Sequence, residues 1–374
     1  MNSSTDIQPF RIDIPQADLD DLQERLQRVR LAEELPGVDW DYGVPVEFVQ
    51  DLVEYWRDGY DWRVWEAKFN QYPQFTTEID GQTIHFLHVQ SPEPNALPLI
   101  LTHGWPGSIA EFLDIIGPLT DPRSHGGDPA TAFHLVIPSL PGFGFSGPTK
   151  ERGWNTYRIA KAWAELMPRL GYDRYGAAGN DWGTYISLDL ARLAPQAVIG
   201  VHVTQIFALP TGEPGELDGL TADELATLKE MQWWDEHWAV HDVLQFRQPQ
   251  TLAHALADSP AGLLGWHCQL YRELDADYIL SNVTIHWLTG TVASAMQLYY
   301  EFDKAPAPTE PTPVPVGLAQ FTHDFKAIRP FAERENRNIV SWHEYDRPGH
   351  FAAHQSPDIL IADMRAFFAG LRPR

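Results

Sequence analysis

The sequence predicts an α/β fold: a mostly parallel sheet flanked by helices, with a helical cap and a helical meander in front. Three observations carry that prediction. Short apolar runs closed by glycine- or proline-bearing turns and followed by helical stretches recur from Leu97 to Leu193, the order of a parallel sheet covered on both faces. One such turn is Gly179-Asn180-Asp181-Trp182-Gly183, a Gly-x-nucleophile-x-Gly pentapeptide that can form a sharp strand-to-helix elbow. From about Phe207 to Tyr300 the texture changes to helical, aromatic and histidine-rich sequence, the pattern of an insertion over the active end of a sheet.

Length and composition bound the rest. A chain of 374 residues accommodates one large α/β domain with insertions, or two ordinary domains. A hydrophobic fraction of 44% with 14 tryptophans describes a packed globular protein. The net charge of -24 argues against nucleic acid and anionic membrane surfaces as partners and disfavours an anionic substrate. Cys268 is the single cysteine, so nothing demands an oxidising compartment. The first ten residues lack a basic-then-apolar signal pattern, and no run approaches the roughly 18 apolar residues of a membrane span. The expectation is a soluble, cytoplasmic protein, with self-association into a homo-oligomer left open.

Taken in order, residues 1–74 read as a helical meander. A short extended piece, Phe10 to Ile14, precedes a helix opened by Pro15, with Leu19, Leu22, Leu26 and Val29 on one face. The Leu35-Pro36-Gly37 break ends it, and helices follow over Val46–Trp56 and Trp62–Asn70. Residues 75–206 form the first part of the core. Phe75–Ile79 and Thr83–Val89 flank an Asp80-Gly81 turn, a hairpin signal. Strands follow at Leu97–Leu101 and Phe133–Ile137, then a helix over Ile159–Leu170. Tyr175–Ala178 enters the elbow as a strand of poor propensity, and a helix over Tyr185–Leu193 leaves it. Residues 207–304 form the cap. Residues 305–374 return to the core through a proline-dense connector, Ala305–Pro315, strands at Val314–Phe321 and Ile339–Tyr345, and a closing helix over Ile359–Leu371.

The elbow lifts a carboxylate, Asp181, where a serine hydrolase would carry serine. A carboxylate can displace a leaving group from saturated carbon, giving an ester that water then hydrolyses. Such a nucleophile needs oxyanion donors, a base and an orienting acid. The backbone N–H groups of Trp105, in His103-Gly104-Trp105-Pro106, and of Trp182 are the expected donors, with His103 structural. The base is expected at His350, in the turn Arg347-Pro348-Gly349-His350-Phe351 between the last strand and the closing helix. Asp324 fits the orienting acid, with Asp303 and Asp346 as weaker alternatives. His237 and His241, four apart, could share a helical face, but no acidic partner completes a metal set. There is no phosphate-cradling or dinucleotide fingerprint, so no cofactor and no metal are expected.

With these motifs in hand, the chain resembles an α/β-hydrolase-fold epoxide hydrolase of the microsomal type, a group with an N-terminal helical meander. The resemblance covers nearly the whole chain. It rests on His103–Ser108, Pro141-Gly142-Phe143-Gly144-Phe145-Ser146, Gly179–Gly183, Trp287-Leu288-Thr289-Gly290-Thr291 and Gly349-His350-Phe351-Ala352-Ala353. It implies Asp181 as nucleophile, His350 as water-activating base, Asp324 as acid, a cis Trp105–Pro106 bond and a small-molecule epoxide as substrate. It also implies two cap tyrosines that protonate the epoxide oxygen. One corresponds to Tyr299, with Tyr300 as the register-slip alternative. The other is missing: a gapless count back from Ala255-Leu256-Ala257-Asp258-Ser259-Pro260 reaches His241, with Trp238 as a second candidate donor. Trp238 and Tyr300 are expected at the substrate. That departure keeps haloalkane dehalogenase, which shares the aspartate–histidine–acid machinery, as the alternative, while a non-enzymatic binding protein lacks the broken triad it would need. The tryptophan-rich cap points to an apolar or aromatic epoxide.

Overall fold

The structure, a computed structural model, describes residues 6–305, 308 and 310–372. Among the described residues, nine strands form one sheet in the order β1-β2-β3-β5-β4-β6-β7-β8-β9. These are β1 Gln8–Phe10, β2 Gln74–Ile79, β3 Gln82–Val89, β4 Leu97–Thr102, β5 Phe133–Pro138, β6 Tyr175–Gly179, β7 Val198–Val203, β8 Val316–Thr322 and β9 Ile339–Pro348. From β5 across to β9 every neighbour is parallel, while β1, β2 and β3 add an antiparallel edge. The β2–β3 turn has positive φ at both Asp80 and Gly81, the geometry a two-residue hairpin requires.

The strand of poor propensity exists, and its composition has a packing reason. In β6 a Cβ added to Gly176 would lie 2.5 Å from the Phe368 ring, so small residues let the closing helix Pro357–Ala369 seat against the sheet. Leu360, Met364, Phe367 and Phe368 are buried there, worth roughly 1.5–3 kcal/mol for each large apolar side chain. Two readings of the sequence need correction. Strand β7 escaped the sequence reading although Val198-Ile199-Gly200-Val201-His202-Val203 is an apolar run buried on both faces. The first helix, Gln16–Leu26, ends well before the Leu35-Pro36-Gly37 break, though Val29 still packs on the core. Of the proline-dense connector, residues 306, 307 and 309 lie outside the described residues, as do residues 1–5 of the N-terminal segment.

Among the described residues, six helices lie between β7 and β8: Ala222–His237, Val240–Arg247, Pro249–Leu256, Pro260–His267, Ala276–Thr289 and Val292–Asp303. The N-terminal segment straps them to the sheet. At one end β1 pairs with β2. At the other, Arg25 donates to the Asp258 carbonyl at 2.8 Å, the Tyr55 hydroxyl to Asp277 at 2.8 Å, and Tyr60 contacts Ser281 at 3.3 Å. Buried Trp56, Trp62 and Phe69 make this strap part of the main core. Among the described residues no helix is long and apolar enough to cross a membrane.

Candidate active site

The parallel strands all end on one side, and the loops that follow β4, β6, β7, β8 and β9 converge there, as expected for ligand-handling groups in an open α/β sheet. Between β6 and the helix Trp182–Leu193, Asp181 adopts φ 50° and ψ -125°, a backbone region that costs an L residue about 1–3 kcal/mol. Its surroundings hold it there. The Asp181 N–H donates to Gln205 Oε1 at 2.9 Å, and Gly183 N–H to the Asn180 carbonyl at 2.8 Å. The flanking glycine is a matter of space: a Cβ on Gly183 would lie 1.9 Å from the Thr102 carbonyl oxygen.

The elbow presses the Asp181 carboxylate against the loop after β4. Oδ1 accepts the Trp105 N–H at 2.8 Å, and the Trp182 N–H also stabilises the carboxylate's charge. The approach is so close that a Cβ on Gly104 would fall 2.1 Å from Oδ1. The Trp105–Pro106 bond is cis. His103 contacts the Gly104 carbonyl through Nδ1 at 2.9 Å and accepts the Leu140 N–H on Nε2, so it shapes the loop as a neutral ring.

The other carboxylate oxygen, Oδ2, lies 3.9 Å from His350 Nε2. On its far side His350 Nδ1 lies 2.8 Å from Asp324 Oδ1, within hydrogen-bonding distance. Asp324 also accepts the Phe325 N–H at 2.8 Å and the Gln205 side-chain amide. The two alternative acids are elsewhere: Asp303 is exposed beside Lys304, and Asp346 is exposed on β9. Burial alone would pull the His350 pKa down, but Asp324, Asp181 and Glu111 together push it up to about 9. Burial raises Asp181, opposed by His350 and the two tryptophan amides. At neutral pH His350 is therefore an imidazolium lying between Asp324 and Asp181.

Above the carboxylate stand aromatic rings from the inserted helices. Tyr299 is 3% exposed, edge-on to Trp182 at 4.6 Å, Phe246 at 5.2 Å and Trp105 at 5.8 Å. Burial drives its phenol pKa well up, with Asp181 and Asp242 adding to that and the Trp182 and Gln245 side chains opposing it. His241 is buried too, stacked on Trp105 at 5.3 Å and 12°, with Nδ1 unpartnered. Burial lowers its pKa to about 3, so the ring is neutral. His237 is exposed and does not share that buried face.

The two residues expected at the substrate stand differently. Tyr300 follows Tyr299 by one position, about 100° round the helix. It therefore turns away from the carboxylate, lining an outer cleft of about 500 Å³ with Arg152, Arg247 and Glu301. Trp238 caps helix Ala222–His237, half-exposed, and among the described residues its ring stacks on none of the site's aromatic side chains. The sequence reading missed Gln205, which joins the Asp181 backbone to Asp324, and Glu111 and Asn180, buried beside His350. Gln205 had a weak signal as a polar residue just beyond an apolar strand.

Comparison with known proteins now bears on this geometry. Residues 7–112 match the family described as "Epoxide hydrolase N terminus", and residues 98–310 match "alpha/beta hydrolase fold". A putative epoxide hydrolase from Stigmatella aurantiaca is 42% identical, over 98% of this chain and 86% of that protein. The chain belongs to the epoxide hydrolase family. Epoxide hydrolase 1 of Sus scrofa is 31% identical to this hydrolase, over 96% of it and 88% of the relative. Among solved structures, the Aspergillus niger epoxide hydrolase superposes with a TM-score of 0.85 at 30% identity, covering 99% and 97% of the two chains. The juvenile hormone epoxide hydrolase of the silkworm Bombyx mori gives 0.89 at 27% identity, covering 99% and 96%. The dehalogenase alternative falls away, because the whole-length relatives are epoxide hydrolases and the match includes the N-terminal strap.

Proposed function

We propose that this epoxide hydrolase opens an apolar or aromatic epoxide to a vicinal diol through a covalent ester on Asp181. The observation that carries the proposal is the division of labour between the carboxylate's oxygens, Oδ1 on the Trp105 amide and Oδ2 free toward His350. Oδ2 attacks an epoxide carbon, the carbon–oxygen bond breaks, and the departing oxygen takes a proton from Tyr299, leaving a tyrosinate. His241, neutral and carrying one ring N–H, serves as the second hydrogen-bond donor to that oxygen. Esterification removes the Asp181 charge, so His350 loses one of the carboxylates that made it an imidazolium, yields its proton to the tyrosinate and becomes a base. It deprotonates a water, which adds to the ester carbonyl. The oxyanion forms on Oδ1, where the Trp105 and Trp182 amides already stand, one such donor being worth about 3–4 kcal/mol. Collapse expels the diol's alkoxide, which takes the proton of the newly formed Asp181 carboxyl group, leaving the carboxylate beside a His350 imidazolium.

Trp105, Trp182, Tyr299, His241 and Phe246 wall the reacting carboxylate, which supports a substrate with an apolar or aromatic substituent. Residues 207–304 act as the cap that delivers Tyr299, His241 and Phe246. The cytoplasm is the proposed compartment, supported by the acidic composition and a single buried cysteine.

The test is one turnover of racemic styrene oxide in 18O-water, read by mass spectrometry of diol and protein. The proposal expects unlabelled diol and label in the Asp181 peptide. Label entering the diol directly would refute the ester.

A further inference from the structure

The helix Val240–Arg247 carries two ionisable residues side by side in its first turn, His241 and Asp242, and the steps above use only the first. His241 is buried, stacked on Trp105 at 5.3 Å and edge-on to Tyr299 at 6.2 Å. Its two ring nitrogens stand in different settings. Nε2 lies 3.2 Å from Asp242 Oδ1, whereas Nδ1 is buried with no hydrogen-bond partner. A neutral imidazole carries one proton, so only one of its nitrogens can donate. Which one is set by what lies against the other.

An ionised Asp242 draws that proton to Nε2 and leaves Nδ1 as a bare lone pair. With Asp242 protonated, the two side chains hold two protons between them. Whether these are shared as carboxyl and imidazole or as carboxylate and imidazolium, one of them sits on Nδ1. An epoxide oxygen that is becoming an alkoxide attracts an N–H and repels a lone pair. Only the two-proton pair can therefore assist Tyr299.

The surroundings decide how readily Asp242 gives up its proton. It is half-buried, and among the described residues no lysine or arginine pairs with it. The groups that face the pair are Asp181 from the elbow, Asp235 from helix Ala222–His237, His350 from its glycine turn and Tyr299 from helix Val292–Asp303. Burial, with Asp181 and Asp235 adding to it, pushes the Asp242 carboxyl up to about 7.

We propose that Asp242 is the positioning residue of the His241 donor: in its protonated form it keeps the imidazole proton on Nδ1, free for the epoxide oxygen. This rests on the reading above of His241 as the second donor. Asp242 acts through His241 and on no reacting atom. Alkylation of Asp181 is therefore fast while Asp242 is protonated and slows as pH rises through about 7.

The test is the rate of ester formation with styrene oxide, by rapid quench and intact mass, between about pH 6 and about pH 8.5 in wild type, Asp242→Asn and His241→Phe. Wild type should alkylate at least about fivefold faster at the acid end. Asp242→Asn cannot ionise, so its rate should change by less than about twofold over the range. His241→Phe should be slow and equally flat, because Asp242 has no donor left to act through. A flat wild-type profile, or an alkaline fall that persists in Asp242→Asn, would overturn the role of Asp242. A fall that persists in His241→Phe would overturn the route through the imidazole, since Asp242 would then be acting by its charge alone. Full wild-type alkylation in His241→Phe at pH 6 would remove the second-donor reading and this inference with it. Ester missing from all three proteins and from His350→Gln would overturn the ester reading, and the inference would fall with that too.

Discussion

Replacing Asp181 by asparagine should make His350 a much weaker base in the resting enzyme, and the size of the change follows from one distance. His350 Nε2 and Asp181 Oδ2 are 3.9 Å apart in a site that is only partly open to water. At an effective dielectric near 20, opposite unit charges at about 4 Å attract by roughly 4 kcal/mol, and one pKa unit corresponds to about 1.4 kcal/mol. Removing the Asp181 charge should therefore lower the His350 pKa from about 9 to about 6, an upper limit because water entering the cleft screens the pair. Asparagine keeps the shape and the Oδ1 contact with the Trp105 amide while deleting the charge, just as esterification does. The assay is an NMR titration of histidine ring resonances, with His350→Gln identifying the signal. A fall of two to three pKa units would mean that ester formation itself switches His350 from imidazolium to base. A change below about half a unit would refute that coupling and leave Asp324 and Glu111 to set the basicity of His350.

Other outcomes follow from the same geometry. His350→Gln should leave alkylation largely intact and stop hydrolysis, so intact-mass spectra should show stoichiometric ester; free enzyme alone would exclude His350 as the base. Tyr299→Phe should slow alkylation by about 10²-fold or more, with His241→Phe slowing it further, whereas full turnover in His241→Phe would remove the second-donor role. Gly183→Ala should fail to fold or lose all activity, since its Cβ would meet the Thr102 carbonyl oxygen at 1.9 Å; a wild-type melting temperature would contradict the close approach. The fold should also weaken in acid. His85, His103, His241 and His286 are buried neutral, with pKa values held by burial at about 3, 4, 3 and 4. Their folded pKa values lie below the unfolded value of about 6.5, so the stability they confer is present above that pH and is lost as pH falls toward 4. Each should cost about 1.4 kcal/mol by pH 5.5. Urea titrations at pH 7.5 and 5.5 should show His241→Phe losing less stability than wild type by that amount, and equal losses would refute its burial as a neutral ring.

The site was legible wherever the chemistry is local in the chain. Gly179 to Gly183 carries its own turn, and His350 sits in a short glycine turn before the closing helix, so both could be placed without a structure. Asp324 was open against Asp303 and Asp346 because the choice depends on which loop meets His350, and in three dimensions Asp324 is the one of the three that lies 2.8 Å from its ring. Tyr299 and Tyr300 differ only by a rotation about one helix, and packing against Trp182 turns Tyr299 inward. Gln205 and Glu111 were not legible at all. Their importance lies in contacts with residues 24 to 119 positions away for Gln205, and in the surroundings of His350 for Glu111.

By itself the sequence determined the alternation of strands and helices, the elbow that presents a carboxylate and the histidine placed to serve it. Hydrophobic period, glycine spacing and turn chemistry act over a few residues and need no partner. Only the tertiary structure decided which acid lies beside His350, which tyrosine packs edge-on against Trp182 beside Asp181, and that a third carboxyl lies buried near the imidazole. Those outcomes depend on burial and on electrostatics between segments distant in the chain. Such interactions take their strength from distance and dielectric, which exist only once the sheet, the strap and the inserted helices have packed together.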